Sequence, residues 1–322
     1  MKHLRKFDSV ADLNAAIANS TIGMIGLAYN GSTPVMKKKD GGSPVPPTPS
    51  YTTTFYVENI TQQSETLTIK GKVDDSVIEI PVEYSTDGTT WSSLGTTGAT
   101  LLTRTINPGD KVYLRATANT WCGSGGYEPH AEIKGISKVG GNIMSLLYGS
   151  NFTGNETTFP TSAPYTFANL FSYNSNLLDA SDLVLPATTL AEGCYYYMFK
   201  GCTSLVIAPA LPATTLAQYC YGFMFGGCTS LTTAPALPAT TLTQDCYDSM
   251  FDGCSSLTWE DVPELPATTL ATSCYVSMFQ NNSNMLFNSD YEYDEWCTNH
   301  IPASANYDKN THGTLFDIGG IM

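Results

Sequence analysis

The sequence has little charge, few histidines and no long apolar run. Only 14% of its 322 residues are charged, and 29 Asp and Glu against 15 Lys and Arg give a net charge of −14. A strongly acidic chain argues against nucleic acid as the main partner, because phosphate binding needs a basic face. No apolar run reaches the roughly 20 residues that cross a bilayer, so no membrane insertion is expected. Hydrophobic residues still make up 42%, which excludes wholesale disorder.

The sequence contains no motif for catalysis or for metal binding. Its four histidines are scattered and no Cys-x-x-Cys spacing occurs. No motif places a Ser-His-Asp or Cys-His arrangement. The acidic run Asp290–Glu295 lacks the ordered spacing of a calcium loop, so a solvated acidic patch is the better interpretation. We therefore predict a protein that is not an enzyme and that binds neither a cofactor nor a metal.

Basic residues concentrate at the N-terminus. Residues 1–42 contain six Lys or Arg and three Asp, a net charge of +3, which leaves −17 for the rest. A short helix is predicted over Asp8–Ser20 and a strand over Thr21–Tyr29, followed by a turn at Asn30–Gly31. Because so small a fold is not stable alone, residues 1–42 are predicted to dock on a partner; a chance cluster of basic residues is the alternative. The apolar residues assigned to docking are Phe7, Leu13, Ile17, Ile25, Leu27 and Tyr29.

A linker rich in Pro, Gly and Ser is predicted at residues 43–50, before an all-β domain at residues 51–137. In that domain, β-branched and aromatic segments separated by turn residues indicate an Ig-like β-sandwich. The predicted strands are Thr53–Glu58, Thr66–Lys70, Ile78–Tyr84, Leu101–Thr105, Lys111–Ala116 and Ala131–Ile136. Trp91 in the hairpin YSTDGTTW is interpreted as a core residue more readily than as a sugar-stacking ring. A connector is predicted at residues 138–157.

An internal repeat spans residues 158–288. The hexapeptide LPATTL begins at Leu185, Leu211, Leu237 and Leu265, and Cys, Tyr, Met and Phe recur in step behind it. A fixed period of 26 to 28 residues is typical of stacked units that cannot bury their apolar faces alone.

Each repeat is predicted to contain a short helix and then a strand. Leu190, Cys194 and Met198 are four residues apart, as on the apolar stripe of a helix. The helix would follow a capping box at Thr189 and end at a glycine. We therefore expect a multidomain α+β protein with a docking segment, an Ig-like β-sandwich and a leucine-rich-repeat-type strand and helix solenoid. A C-terminal cap is predicted at residues 289–322.

Positions that are identical in every repeat are predicted to be interior, and variable positions to be surface. The repeat cysteines belong to the first group, so they are expected to be free, buried thiols. The variable positions place aromatic rings beside carboxylates, which suits a glycan or a protein contact; a merely solvated face is the alternative. The candidate ligand-binding residues are Tyr196, Tyr197, Tyr219, Phe223, Asp245 and Asp248.

The repeats LPATTLAEGCYYYMFKGCTSL and LPATTLAQYCYGFMFGGCTSL resemble the BspA-type leucine-rich repeats of gut Bacteroidales surface proteins. This resemblance covers roughly residues 51–290 and implies adhesion to a cell or host surface, with no catalytic residues. The first 40 residues, with FDSVADLNAAI and IGLAYNG, are similar to the docking segment of structural proteins of crAss-like and other gut Bacteroidales phages.

Together the two resemblances imply a structural protein of a phage virion, either a head fibre or a decoration protein. Residues 1–42 would bind capsid or other virion proteins, and the repeats would adhere to a glycan or protein of the host or mucosal surface. A homo-oligomer, a trimer or a dimer, is expected. Because the opening residues lack the apolar core of an export signal, a virion surface is favoured. The alternative is a leucine-rich-repeat adhesin on a bacterial cell surface.

Overall fold

The computed structural model describes residues 5–7, 25–30, 33–38, 52–73, 76–98, 100–118, 121, 130–159, 164–287 and 289–316. The chain divides into two compact units, Met1–Pro49 and Ser50–Met322. The predicted helix Asp8–Ser20, the predicted linker and Cys122 lie outside the described residues.

The first unit contains one small sheet of three strands. Strand β1 (Arg5–Phe7) lies parallel to β2 (Ile25–Asn30), and β2 pairs antiparallel with β3 (Thr33–Lys38). Asn30 pairs with Thr33, so Asn30, which was predicted as a turn residue, is instead the last residue of β2.

The second unit begins with two β-sheets. Its strands are β4 (Tyr56–Glu58), β5 (Glu65–Lys70), β6 (Lys72–Val73), β7 (Ser76–Val77), β8 (Pro81–Ser85), β9 (Ser92–Thr96), β10 (Leu102–Ile106), β11 (Lys111–Ala116), β12 (Glu132–Lys134), β13 (Lys138–Asn142) and β14 (Asp179–Val184). The larger sheet has the order β14-β13-β4-β11-β8-β9 and the smaller one β10-β5-β12, while β6 pairs only with β7. Within these sheets only β13 and β14 pair in parallel. Along β5 every second residue is buried, as expected for a strand with one face on a core.

Six strands of this part were predicted, and β11 agrees with its prediction at both ends. The sheet was expected to end near residue 137, but β13 and β14 extend it to Val184. Trp91 is half-buried beneath the guanidinium of Arg115, which lies 4.2 Å from the ring centroid. It is therefore a covered surface ring, and not the core residue that was predicted.

Helices are short and few in the part of the chain that the structure describes. They are α1 (Ser145–Tyr148), α2 (Asp290–His300) and α3 (Lys309–His312), with single 3-10 turns at Gly149–Asn151, Trp259–Asp261 and Ala303–Ala305. The hydroxyl of Ser289 accepts a hydrogen bond from the Glu292 N–H and so caps α2.

The predicted fold class, a leucine-rich-repeat-type solenoid of strands and helices with a C-terminal cap, is wrong. The described residues 185–287 contain turns, isolated bridges and one 3-10 turn, but no α-helix and no strand. In each repeat the backbone has positive φ at every fourth residue, as at Gly193, Tyr197 and Gly201. Along these turns, successive backbone N–H groups donate alternately to a carbonyl of their own repeat and to a carbonyl of the next repeat. The Met198 N–H donates within its own turn, and the Phe199 N–H donates to Met224 in the next repeat, 2.9 Å away.

The helix prediction failed because a four-residue spacing is common to a helix and to this series of turns. In both, Leu190, Cys194 and Met198 share one side, and all three are buried. A left-handed residue at every fourth position excludes the helix, since that conformation costs roughly 1–2 kcal/mol per residue inside a helix. The last three copies each carry two prolines, such as Pro209 and Pro212, and these explain the missing strands, because proline has no N–H for a strand ladder.

Stacked rings run through the core of the repeats. Neighbouring phenylalanines lie 5.2–5.6 Å apart between ring centroids from Phe171 to Phe279. Phe55 of strand-rich residues 52–118 continues this stack at one end, and Phe316 at the other. The sheets and the repeats therefore share one hydrophobic core.

A position that has the same residue in every repeat is not always buried. The invariant Cys, Tyr, Met and Phe are buried as predicted. The invariant Thr-Thr pair of LPATTL, however, is exposed in all four copies, for example at Thr188 and Thr189. Its backbone carries contacts between repeats, since Thr189 forms a parallel bridge with Thr215.

Residues beyond α3 complete the last repeat. The N–H of Ser277 donates to Thr314 at 2.7 Å, and that of Phe279 donates to Leu315 at 2.6 Å. The non-helical backbone of Thr314 and Leu315 thus supplies the acceptor carbonyls that a further repeat would otherwise provide.

Candidate functional site

Four of the six predicted ligand-binding residues lie together on one face of the repeats. The rings of Tyr196 and Tyr197 have centroids 4.0 Å apart, Tyr197 lies 5.0 Å from Phe223, and Tyr196 lies 6.0 Å from Tyr219. Tyr165 joins them, 5.9 Å from Tyr196. We call these five residues the aromatic patch. Sequence reasoning missed Tyr165 because it precedes the first LPATTL, in a part of the repeat region where the repeat pattern is degenerate.

The patch contains aromatic residues in a conformation that such residues rarely adopt. Tyr197 and Phe223 stand at the left-handed fourth position of the turns, with φ of 59° and 52°. The equivalent residue is serine at Ser249 and Ser277, so the fold itself does not require a ring there. A bulky side chain in this conformation costs of order 1–3 kcal/mol, and such residues concentrate at functional sites.

Glycines in the following repeat make room for the rings. A Cβ added at Gly222 would lie 2.9 Å from the ring of Tyr196, and one at Gly193 would collide with the ring of Tyr165. The other repeats carry side chains at the position of Gly222. The aromatic ring in one repeat therefore fits only because the next repeat has a glycine, and so no side chain, beside it.

Lys200 borders the aromatic patch, and it is the one basic residue in the sequence from 164 to 287. Its ammonium lies 4.1 Å from the ring centroid of Tyr197 and 5.0 Å from that of Phe223. These are distances at which a cation is attracted to an aromatic face. Sequence reasoning placed Lys200 at a variable position but assigned it no role.

The two predicted carboxylates lie in the next repeat and form an acidic band with Asp252. Asp245 is 7% exposed and accepts a hydrogen bond from Gln244 at 2.9 Å. Asp248 accepts one from the hydroxyl of Ser249 at 2.7 Å. Burial raises the pKa of Asp248, and the negative charges of Asp245 and Asp252 raise it further. Tyr196 is 6% exposed and Asp245 is similarly buried, so these two residues contribute mainly through packing. The side chains of Tyr197, Tyr219 and Phe223 are partly exposed.

Four of the predicted docking residues lie in strands of the first unit. Phe7 is in β1, and Ile25, Leu27 and Tyr29 are in β2. Leu13 and Ile17 lie outside the described residues.

The buried cysteines do not form a reactive centre. The eight cysteines within the described ranges are free and buried, which confirms that part of the prediction. Burial raises the pKa of the Cys202 thiol to about 12 and that of Cys274 to about 11, so little thiolate is present near neutral pH. Among the described residues, no group of three His, Cys, Asp or Glu could hold a metal ion.

Comparison of the chain with protein-family models, with curated proteins and with solved structures finds no match. Among the residues described, no helix is long and apolar enough to span a bilayer. The aromatic patch offers ring faces and phenolic hydroxyls to a ligand, and Lys200 at its border offers one ammonium group.

Proposed function

We propose that the protein is an adhesion protein whose repeats present the aromatic patch to a carbohydrate surface. The observation that carries this proposal is the pair Tyr197 and Phe223, two partly exposed rings held at left-handed positions where other repeats have serine. Sugar rings have apolar faces that stack on aromatic side chains, and their hydroxyls bond to polar groups nearby. Strain kept at two neighbouring positions of one face indicates a use for those rings beyond folding.

The proposal includes a carrier for the adhesive face. Residues 1–42 attach the protein to a phage virion, as a head fibre or decoration protein, and many copies together make weak single sites sufficient. The small separate sheet of the first unit and its net charge of +3 support an attachment segment. A bacterial cell-surface adhesin is the alternative, and it would use the same aromatic patch.

Serine substitution at both strained positions tests the adhesive face. The variant Tyr197→Ser/Phe223→Ser takes the residue found at Ser249 and Ser277, so the backbone conformation is preserved. Loss of two stacking rings should weaken binding to immobilised mucin or host cells about tenfold or more. The control is Tyr291→Ser, which removes a tyrosine that is 75% exposed on α2. Equal binding by the double variant and the wild type, with an unchanged circular dichroism spectrum, would show that the patch is not the adhesive site.

Deletion of residues 1–42 tests the attachment. The shortened protein should remain soluble and folded but should be absent from purified phage particles analysed by mass spectrometry. Undiminished incorporation would contradict the assignment of this segment to docking.

A further inference from the structure

Lys200 combines an aromatic environment with the absence, among the residues that the structure describes, of a carboxylate partner. Lys111, Lys138 and Lys309 each lie within 3.4 Å of an acidic oxygen. Among the described residues, Lys200 forms no such ion pair, and its ammonium lies against Tyr197 and Phe223 instead. In a chain with a net charge of −14, an available cation on the proposed binding face calls for a functional explanation.

The charge changes sign over the two repeats that follow Lys200. Lys200, Gly226 and Asp252 occupy equivalent positions in three successive repeats, and the Gly227 N–H donates to Asp252 at 2.7 Å. Gly226 is itself buried, and a Cβ added there would make ordinary contacts from 3.5 Å, so no side chain of this position stands between the two charged residues. The ring of Phe223 lies 3.7 Å from that added Cβ, and so stands beside the same position.

From this arrangement we infer that the aromatic patch selects a sugar that carries a carboxylate, with Lys200 as its charge partner. The inference rests on the proposed function and names the class of glycan. The sugar ring stacks on Phe223 and Tyr197, its carboxylate pairs with the ammonium of Lys200, and its hydroxyls point towards Asp252. The charge difference between Lys200 and Asp252 fixes the orientation, because the reversed sugar would place its carboxylate beside Asp252.

The same charges limit how many anionic groups the site accepts. Asp245, Asp248 and Asp252 form a negative band one repeat beyond Phe223. A densely charged polyanion would meet repulsion there, whereas a glycan with one carboxylate next to Lys200 would not. Binding should therefore weaken when salt screens the single ion pair.

The test compares 3′-sialyllactose, which carries a single carboxylate, with its methyl ester, which removes the charge and keeps the ring. Titration calorimetry at low salt should give up to about fivefold tighter binding of the acid, the upper range for an exposed charge pair. The variant Lys200→Gln has the residue found at Gln280 and should bind both sugars equally, with the ester unaffected. Lys200→Arg keeps the charge and should retain the preference. A second matched pair is 3′-sialyllactose against lactose.

The outcomes separate this inference from the proposed function. If wild type binds acid and ester equally, or if Lys200→Gln keeps the preference, selection by Lys200 is refuted. If selection by Lys200 is refuted but the Tyr197→Ser/Phe223→Ser variant loses binding of both sugars, the adhesive role of the patch is kept and only the role of Lys200 is given up. If no sugar of either pair binds, the inference is wrong, and mucin binding by the ring variant alone decides the proposed function.

Discussion

Alanine at two glycines of the same repeat should have opposite effects on stability. Gly222 and Gly226 occupy the same place in successive four-residue turns, each donating its N–H to the carbonyl three residues before at 3.0 Å. Neither has positive φ, and other repeats carry side chains at both positions. The two sites therefore differ mainly in what surrounds a new methyl group.

The magnitudes follow from those surroundings. At Gly226 a Cβ makes ordinary contacts at 3.5–3.7 Å, so Gly226→Ala should stabilise by about 0.4–1 kcal/mol through the unfolded chain. At Gly222 a Cβ would lie 2.9 Å from two ring atoms of Tyr196, and crowding of this kind costs about 1–3 kcal/mol. The free energies of unfolding of the two variants should therefore differ by about 1–3 kcal/mol, with Gly222→Ala the less stable.

Urea unfolding of the full chain, followed by circular dichroism and by fluorescence, measures this difference, provided that both probes give one transition with an unchanged slope. A Tyr196→Ala change should remove the crowding, so the cost of Gly222→Ala should largely disappear in that background. Equal stability of the two glycine variants, or additive effects of Tyr196→Ala and Gly222→Ala, would refute the assignment of Gly222 as the site that makes room for the ring.

Two further predictions concern the core. Burial raises the pKa of all eight described cysteines above the ordinary value of 9.0, so the folded state keeps its thiols protonated while the unfolded chain ionises. The protonated thiols stabilise the folded state fully below pH 9, and this contribution is lost as the pH rises above that value. Summed over the eight cysteines, the loss at pH 10 is on the order of 10 kcal/mol, which is comparable to the total free energy of unfolding of a typical protein. Unfolding in reductant should therefore occur near pH 10, and thiol reagents should find these cysteines unreactive at pH 8 until denaturation; persistence of the fold at pH 11.5 or a disulfide ladder would contradict this. Cys202, Cys228 and Cys254 each donate to a phenylalanine carbonyl of the preceding repeat, and Asn282 does so in the fourth copy while its buried Oδ1 has no partner. Asn282→Cys should keep the donor, remove the unpaired oxygen and stabilise by about 1–3 kcal/mol in thermal unfolding, whereas Asn282→Ala should destabilise; a lower melting temperature for the cysteine variant would be evidence against this account.

The sequence by itself determined the repeat period and most of the interior. Cys194, Met198 and Phe199 recur at fixed positions, and a fixed position in a stack has the same neighbours in every repeat. It also determined that Tyr196, Tyr197, Tyr219 and Phe223 would lie on one side, because a four-residue spacing repeats along the chain and a repeat of 26 residues aligns the copies.

Only the tertiary structure decided the backbone conformation that carries these side chains. Spacing alone does not distinguish a helix from a series of turns, because both place residues four apart on one side. The choice depends on hydrogen bonds between residues about 25 positions apart, such as Phe199 to Met224, which local propensity does not contain. The same long-range packing placed Tyr165 beside Tyr196 and the ammonium of Lys200 against its rings, since these contacts exist only when neighbouring repeats are stacked.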